Sequence, residues 1–373
     1  MRPGVLLLLD SIVLYGRERG NIDVLQVLSE NGTPVQVAVH EHWGRKHVVP
    51  QLEALKIAWT EVDYHDRLGR STSAWQWLTA LAVIARANLQ LARLLRRESI
   101  GALQIASPRT LLNFLPLLWW TRTPLVFRCG DLPDVEGRAR QWLWGQTLAR
   151  VNSVVAISDF VARALVAAGC DPARLTVIRS RPFIRGAVAT SEGGDRPSGS
   201  VVLGFAGQLA EHKGIADLLA AVRDLRGRGL DVSLVLAGEV TPAYEQLAGA
   251  AEPWRHEWGY LKDMAPFFAA VDLLVVPSRC NEALGAVVIE AKAAGVAAVV
   301  YPDGGLPEVV DDGVDGRVCP TADPAALTAA LEPLVHNPGR IRQMGAAARA
   351  GAQSLGEQFG RCWREVYREL GIS

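Results

Sequence analysis

The sequence has few of the features that mark membrane proteins, disulfide-rich folds or zinc proteins. No apolar run among its 373 residues approaches the ~18 residues that span a bilayer. The opening run Val5–Leu9 stops at Asp10, and no small-residue cleavage site follows it, so it predicts a buried strand rather than a signal peptide. The five cysteines are odd in number and widely scattered, which favours a reducing, cytoplasmic location over a disulfide framework or a zinc site.

Two further missing patterns exclude classes of protein. No Gly-x-Gly-x-x-Gly follows the first strand of either half of the chain, which disfavours a nicotinamide-dependent dehydrogenase. The formal net charge is zero and no basic aromatic motif occurs, so nothing supports a nucleic-acid partner. The hydrophobic content of 49% is that of an ordinary globular protein with a real core.

The charge is unevenly distributed between the two halves. Residues 1–184 hold 22 Lys+Arg against 15 Asp+Glu, a net of +7, and residues 185–373 hold 17 against 24, a net of −7. Eight of the eleven tryptophans also lie in the first half. The asymmetry indicates that the first half meets an anionic partner, although a surface charge that has merely drifted gives the same totals.

Short apolar runs alternate with helical patterns in both halves, which predicts parallel sheets of the doubly wound kind. Helices are predicted at Ile22–Glu30, Trp77–Arg97, Ile215–Gly227 and Ala286–Ala294. Residues 185–200 are rich in Gly and Ser without an apolar period, which predicts a linker. The predicted strands are Val5–Leu9, Pro34–Val39, Ala102–Ile105, Leu125–Phe127, Ser153–Ile157, Val201–Phe205, Val232–Ala237, Val271–Val276 and Ala297–Tyr301.

The alternation predicts an α/β protein with two Rossmann-like domains, residues 1–184 and 201–355, that face each other across a cleft. Ligands in such sheets bind beyond the carboxyl ends of the strands, where the strand order reverses. The loops that follow strands are therefore the places where ligand-binding residues are expected.

The first candidate is the loop GQLAEHKG at residues 207–214, between a predicted strand and a predicted helix. A glycine at each end, Gly207 and Gly214, lets the backbone approach a ligand and turn into the helix. The helix N-terminus and Lys213 together favour a phosphate. A plain strand-to-helix loop with a solvated lysine has the same pattern.

The second candidate is NEALGAVVIE at residues 281–290. Glu290 lies within an apolar helical run, where an unpaired carboxylate is costly, and ribose hydroxyls are good partners for it. Glu282 precedes the helix, and the backbone N–H groups of Leu284, Gly285 and Ala286 at the helix start suit a diphosphate. The alternative is a buried salt bridge from Glu290 to Lys292 or to an arginine, with Glu282 solvated.

In this order and spacing the two segments resemble the retaining glycosyltransferases of family 4, which have the GT-B fold. The likeness rests on GQLAEHKG (207–214), AGE (237–239), DLLVVPS (272–278), EALGAVVIEA (282–291) and GGLPEVVDDGVDG (304–316). A looser likeness covers the first half, over SPRTLLNFLPLLW, PLVFRCGDLPD and VAISDFVARALVAAGCDPARLTVI. The resemblance implies that a last helix, at about residues 356–370, packs back on the first domain.

The resemblance also implies roles for particular residues. Glu290 would bind the donor ribose, Glu282 would contact the transferred sugar and its developing positive charge, and Lys213 would neutralise the diphosphate leaving group. Gly207, Gln208 and Gly238, with residues 284–286, would complete the donor site. The family works without a bound metal or a cofactor, which fits the lack of an Asp-x-Asp pair, so lysine and helix N–H groups must stabilise the charge.

Two positions depart from the family pattern. Gln208 replaces an arginine that holds the diphosphate, and Gly130 replaces a histidine of the first domain. Arg128 or His212 would restore the missing charge, unless Arg128 simply pairs with Asp131. The departures leave open a second hypothesis, in which a catalytically inactive relative binds a nucleotide or a protein partner.

Candidates on the acceptor side lie in the first domain. The loop that contains Gly16 and Arg17 occupies the place of the family's glycine-rich loop, and an ordinary solvated loop is equally consistent with it. Ser158 begins the helix of the VAISDF segment. The run of His40, His42 and His47 has a spacing that favours an acceptor-side loop over a metal site.

The basic, tryptophan-rich first half fits a peripheral membrane enzyme that acts on a lipid-linked acceptor. Packing of the tryptophans in the core is the alternative. The function predicted from the sequence is transfer of a sugar from a nucleotide-sugar to a glycan, lipid-linked or small-molecule acceptor. Polysaccharide or glycoconjugate biosynthesis is the expected setting.

Overall fold

The chain folds into two compact units. Unit 1 comprises Met1–Arg179 and Gln358–Ser373, and unit 2 comprises Ser180–Glu357. The predicted linker lies, except for Ser200, outside the described residues. The computed structural model describes residues 3–9, 16–40, 48–62, 74–182 and 200–372.

Unit 1 is built on a parallel sheet of seven strands in the order β3-β2-β1-β4-β5-β6-β7. The order reverses beside β1, as expected for a doubly wound sheet. β3 was missed in the sequence because its residues are only partly buried at the edge of the sheet. The strands are β1 Gly4–Leu9, β2 Val35–His40, β3 Ala58–Val62, β4 Ile100–Ile105, β5 Leu125–Cys129, β6 Ser153–Ala156 and β7 Leu175–Val177.

Helices connect these strands. The first begins at Gly16, six residues before the predicted Ile22. The apolar period does not extend over its first turns, because the polar residues Glu18 and Asn21 are buried there. The helices are α1 Gly16–Glu30, α2 Val49–Ala54, α3 Ala74–Arg97, α4 Pro108–Trp120, α5 Arg138–Arg150 and α6 Asp159–Ala167.

The end of the chain contributes to the core of unit 1. Phe359, Trp363 and Tyr367 are fully buried and pack with strand residues such as Val5 and Leu7. The Tyr367 hydroxyl donates a hydrogen bond of 2.6 Å to Gln104. At ~25 cal/mol per Å² of buried apolar surface, these three aromatic side chains stabilise unit 1 by several kcal/mol.

Unit 2 has a parallel sheet of six strands in the order β10-β9-β8-β11-β12-β13. The order reverses between β8 and β11, which are hydrogen-bonded neighbours. Loops that follow these two strands therefore meet at one edge of the sheet. The strands are β8 Val201–Ala206, β9 Val232–Ala237, β10 Arg255–Gly259, β11 Leu273–Val276, β12 Ala297–Val300 and β13 Gly316–Val318.

The helices of unit 2 cover both faces of its sheet. The helix that ends the chain begins at Pro338, much earlier than the predicted residue 356. The helices are α7 Ile215–Gly227, α8 Pro242–Ala248, α9 Ala265–Ala270, α10 Ala286–Ala294, α11 Pro324–Val335 and α12 Pro338–Glu369, of which the part from Gln358 onward belongs to unit 1. Short 3₁₀ turns lie at Glu211–Lys213 and Leu306–Glu308 in unit 2 and at Pro172–Arg174 in unit 1.

A membrane span was not expected from the sequence. Among the described residues, every helix is too short or too polar to cross a bilayer.

Candidate active site

The loop after β8 turns sharply into α7. Residues 211–213 form a 3₁₀ turn, and Gly214 ends it in the left-handed conformation with φ 72°. A Cβ at residue 214 would overlap the carbonyl oxygen of Pro277, so the loop lies directly against the segment that follows β11. Glycine is therefore required here for both its φ and its missing side chain.

This close approach brings Lys213 to Glu282. Lys213 Nζ lies 2.7 Å from Glu282 Oε2, and the two side chains are 23% and 25% exposed. Burial alone would lower the pKa of Lys213, but the charge and hydrogen bond of Glu282 more than offset this and raise the pKa above its usual value. Lys213 is therefore cationic at neutral pH and held at a fixed position.

Glu282 is fixed through its backbone as well as its side chain. Its N–H donates to Asp303 Oδ1 at 2.9 Å, and its carbonyl accepts from the N–H of Gly305 at 2.7 Å. Gly304, at φ 57°, packs so closely on Glu282 that a Cβ would overlap the Glu282 carbonyl oxygen. The GGLPE segment thus supports the loop that carries Glu282.

The segment ends at the start of α10. Gly285 is the N-cap in the left-handed conformation with φ 85°, and no side chain caps the helix. The N–H groups of Ala286 and Val287, like those in the first turn of any helix, have no intrahelical acceptor, and here no side chain caps them. The helix dipole adds positive potential at the same place. Leu284 is buried and anchors the turn.

Lys292, the first partner considered for Glu290 in the alternative, does not pair with it. Lys292 instead lies 2.6 Å from Asp315 and donates to the carbonyl of Val309. Glu290 is half-buried on α10, about one turn from the uncapped N-terminus. Glu282 is not simply solvated either, because it pairs with Lys213.

Three other residues predicted for the donor site lie at the same edge of the sheet. Gly207 follows β8 and Gly238 follows β9, and a Cβ on Gly238 would overlap the carbonyl oxygen of Gly207. Gln208 and His212 are exposed in the same loop. Gln208 carries no charge, and the positive charge next to Glu282 at this edge is that of Lys213.

The sequence did not single out two side chains that shape this region. Arg279 forms an ion pair with Asp217 and lies over the ring of Tyr301, whose hydroxyl donates to the same carboxylate at 2.9 Å. Cys280 Sγ lies 3.4 Å from Glu282 Oε2. Arg279 and Cys280 both lie within three residues of Glu282 in the chain, and this short separation is the only feature of the sequence that indicates a place in the site.

The candidates in unit 1 have varied surroundings. Gly16 is the exposed first residue of α1, and the Arg17 side chain lies outside what the structure describes, as do His42 and His47. Ser158 is buried and caps α6 by accepting a hydrogen bond from the Val161 N–H at 3.1 Å. Capping is a structural duty that needs no ligand.

Arg128 is 1% exposed at the end of β5, and its guanidinium fills the space beside Gly20. Burial lowers the pKa of Arg128 to about 10, while the nearby Asp23, Asp131 and Glu18 act to raise it. The side chain is charged at neutral pH and lies inside unit 1, next to the equally buried Gly130. Asp131 is thus one of several acidic neighbours rather than its sole partner.

Within the described ranges, no group of three or more His, Cys, Asp or Glu side chains has the arrangement of a metal site.

Comparison with protein-family models gives two matches. Residues 16–180 match the model described as Glycosyltransferase Family 4, and residues 200–337 match Glycosyl transferases group 1. The matches lie in unit 1 and unit 2 respectively, and the second contains Lys213, Glu282 and Glu290.

Curated relatives agree with these matches. The chain is 31% identical over 242 residues to an alpha-maltose-1-phosphate synthase of Mycolicibacterium smegmatis, and 32% identical over 232 residues to a D-inositol 3-phosphate glycosyltransferase of Segniliparus rotundus. Each alignment covers 56% of this chain. The aligned part is 60% of the length of the synthase and 51% of the length of the inositol-phosphate glycosyltransferase.

Solved structures share the fold along the whole chain. The Anabaena protein HepE, in complex with UDP and glucose, is 18% identical with a TM-score of 0.74, and the alignment covers 98% of this chain and 99% of that one. A sucrose-phosphate synthase from Thermosynechococcus elongatus is 16% identical with a TM-score of 0.78, over 99% of both chains. The predicted GT-B fold class is confirmed.

Proposed function

Because the chain belongs to glycosyltransferase family 4 among the group 1 glycosyl transferases, we propose that it is a retaining, metal-independent glycosyltransferase. It moves a sugar from a nucleotide-diphosphate sugar to a glycan, lipid-linked or small-molecule acceptor. The observation that carries this proposal is the 2.7 Å pair of Lys213 and Glu282 beside the uncapped start of α10. The pair lies beyond the carboxyl ends of β8 and β11, where the strand order of unit 2 reverses.

The chemistry follows from the charges of these groups. Departure of a nucleoside diphosphate leaves negative charge on the phosphate oxygens, which Lys213 and the N–H groups at the start of α10 stabilise. Positive charge develops on the sugar at the same time, and the Glu282 carboxylate stabilises it. Glu290, on the body of α10, binds the ribose hydroxyls of the donor.

A thermal-shift screen tests donor binding. Uridine, guanosine and adenosine diphosphates are compared, and we expect one of them to raise the melting temperature, because a ligand at ~100 times its Kd stabilises the native state by about 2.7 kcal/mol. The Glu290→Gln variant should bind that nucleotide about 10-fold or more weakly, since a charged hydrogen bond to the ribose is lost. Its affinity for inorganic pyrophosphate, which has no ribose, serves as the matched control and should not change.

The screen also separates the two hypotheses for this chain. A nucleotide that binds, together with transfer or hydrolysis of its sugar that Glu282→Ala abolishes, supports the enzyme. Nucleotide binding without turnover of any donor in a panel of nucleotide-sugars favours the inactive relative. No stabilisation by any of the three diphosphates contradicts both the enzyme and an inactive relative that binds a nucleotide, and it leaves only an inactive relative that binds a protein partner.

We further propose that unit 1 contacts an anionic membrane surface. Trp119 and Trp120 at the end of α4 and Trp142 on α5 are 55%, 88% and 65% exposed, whereas core packing would bury them. The exposed Arg122 and Arg138 lie close to them in the chain. Exposed tryptophans beside cationic side chains suit the boundary between lipid head groups and acyl chains.

Sedimentation with vesicles tests this surface. The protein should pellet with vesicles that contain anionic lipid at low salt, and added salt should weaken the association because it screens the arginines. The Trp120→Ala/Trp142→Ala variant should lose most of the bound fraction. Trp258→Ala, which removes a 40% exposed tryptophan from unit 2, is the control. Equal pelleting of all three proteins, or none at low salt, would contradict the proposal.

A further inference from the structure

Cys280 shares an oxygen atom with Lys213 in the candidate site. Its Sγ lies 3.4 Å from Glu282 Oε2, the atom that also lies 2.7 Å from Lys213 Nζ. Both contacts use Oε2, which leaves Oε1 of the carboxylate for a ligand hydroxyl. Two side chains, Lys213 from one loop and Cys280 from the other, thus contact the same oxygen of Glu282.

The thiol is in the protonation state that can donate. Burial raises the pKa of the Cys280 thiol, Lys213 acts to lower it and Glu282 raises it further, and the pKa stays above its ordinary value. An S–H group with such a pKa is protonated at neutral pH and is a weak donor to an anionic acceptor. Glu282, which as a carboxylate has no proton, is the acceptor.

The backbone on both sides of Cys280 is fixed. The Arg279 N–H donates to the carbonyl of His212 at 2.9 Å, which ties Cys280 to the turn that carries Lys213. On the other side, Asn281 takes up φ 52° and the Glu282 N–H is held by Asp303. The thiol is therefore held beside the carboxylate by the loop itself.

We infer that Cys280 is a positioning residue that, through its contact with Glu282 Oε2, holds this carboxylate in the orientation needed for sugar transfer. The inference rests on the proposed function, because Glu282 is the group proposed to act on the sugar. With Lys213 alone, the carboxylate can rotate about its terminal torsion, which has a broad energy profile. The second donor restricts that rotation.

Kinetics of paired variants test the positioning role. Cys280→Ala removes the donor and should lower kcat about 3- to 10-fold with little change in the donor KM, whereas Cys280→Ser keeps a donor and should stay within about twofold of the parent. Cys362→Ala, which removes a half-buried thiol from unit 1, is the control and should match the parent. Equal activity of the alanine variant and the parent would overturn the inference. Equal losses in the alanine and serine variants would also overturn it, because they would show that the ability of residue 280 to donate a hydrogen bond does not matter.

A second measurement does not depend on activity. The rate of iodoacetamide labelling of Cys280 is followed against pH by mass spectrometry, with Cys362 as the internal reference. Because Glu282 raises the thiol pKa and Lys213 lowers it, Glu282→Gln should label faster at a given pH and Lys213→Met should label more slowly, each by about 3- to 10-fold. Parent rates in both variants would show that the three groups do not meet. If the parent protein transfers no sugar, the proposed function fails, while the labelling rates still decide whether the cluster exists.

Discussion

Lys213→Met and Glu282→Gln are each expected to reduce sugar transfer by about 100- to 1,000-fold, the loss that follows removal of one preorganised charge from a transition state. Lys213 is held 2.7 Å from Glu282 and keeps its charge because that carboxylate raises its pKa. Methionine fills a similar volume without charge, and glutamine keeps the shape of glutamate. The measurement is kcat/KM with a donor found in the nucleotide screen.

The two variants should differ in nucleotide binding. Lys213→Met should weaken binding of the free nucleoside diphosphate, because its phosphates lose a cation. Glu282→Gln should leave that affinity nearly unchanged, because its proposed contact is with the sugar, which the diphosphate lacks. Loss of nucleotide affinity in Glu282→Gln alone would contradict the assigned roles.

The double variant adds a test of coupling. Each residue holds the other in place, so the combined loss in kcat/KM should be much smaller than the product of the two single losses. Glu332→Gln, which breaks an exposed ion pair with Arg228 at 2.9 Å elsewhere in unit 2, is the matched control and should transfer at the parent rate. Activity of either single variant within about threefold of the parent would remove the pair from the mechanism.

Element bounds in unit 2 could be predicted where glycines mark them. The predicted helices Ile215–Gly227 and Ala286–Ala294 match the structure, because glycines with positive φ lie before each of them, at Gly214 and Gly285, and after the second, at Gly295. Glycines do not always end helices, however. Gly345 lies inside α12 because the helix packs so closely on the Gly295 carbonyl oxygen that a Cβ would overlap it. Close packing of this kind cannot be seen in the sequence.

Buried polar groups were the main source of error in unit 1. Asn21 is fully buried because its side chain accepts a hydrogen bond of 2.7 Å from Gln104, which in turn accepts from Tyr367, more than 260 residues further on. A helix whose polar residues are buried by distant partners does not show the apolar period of a surface helix. Its first turns were therefore not recognised.

The candidate site could be predicted in outline but not in its contacts. Lys213 and Glu282 are 69 residues apart in the chain, and each follows a strand of the doubly wound sheet. The reversal of strand order explains why their loops meet. The direct ion pair and the thiol of Cys280 depend on loop conformations that are set by Gly214 and Asn281, for which apolar periodicity gives no signal.

Gly214→Ala is expected to be strongly disruptive, although it adds only one methyl group to the loop that carries Lys213. The left-handed conformation costs a non-glycine residue about 1–2 kcal/mol, and overlap with the Pro277 carbonyl oxygen adds a comparable or larger amount. We expect a loss of about 3 kcal/mol or more, which for a unit of this size lowers the melting temperature by roughly 6–12 °C. The displaced loop should also separate Lys213 from Glu282, so transfer should fall beyond the loss of folded protein.

Gly229→Ala is the matched control, because its φ of 84° is close to the 72° of Gly214 but a Cβ there meets no atom within 4 Å. It carries the conformational cost alone, about 1–2 kcal/mol, and should lower the melting temperature by about 2–8 °C with transfer unchanged. Differential scanning calorimetry and the kcat of the soluble fraction measure the two effects separately. Equal losses of stability in the two variants would mean that the close approach to Pro277 relaxes at little cost, and that it does not hold the Lys213 loop against Glu282.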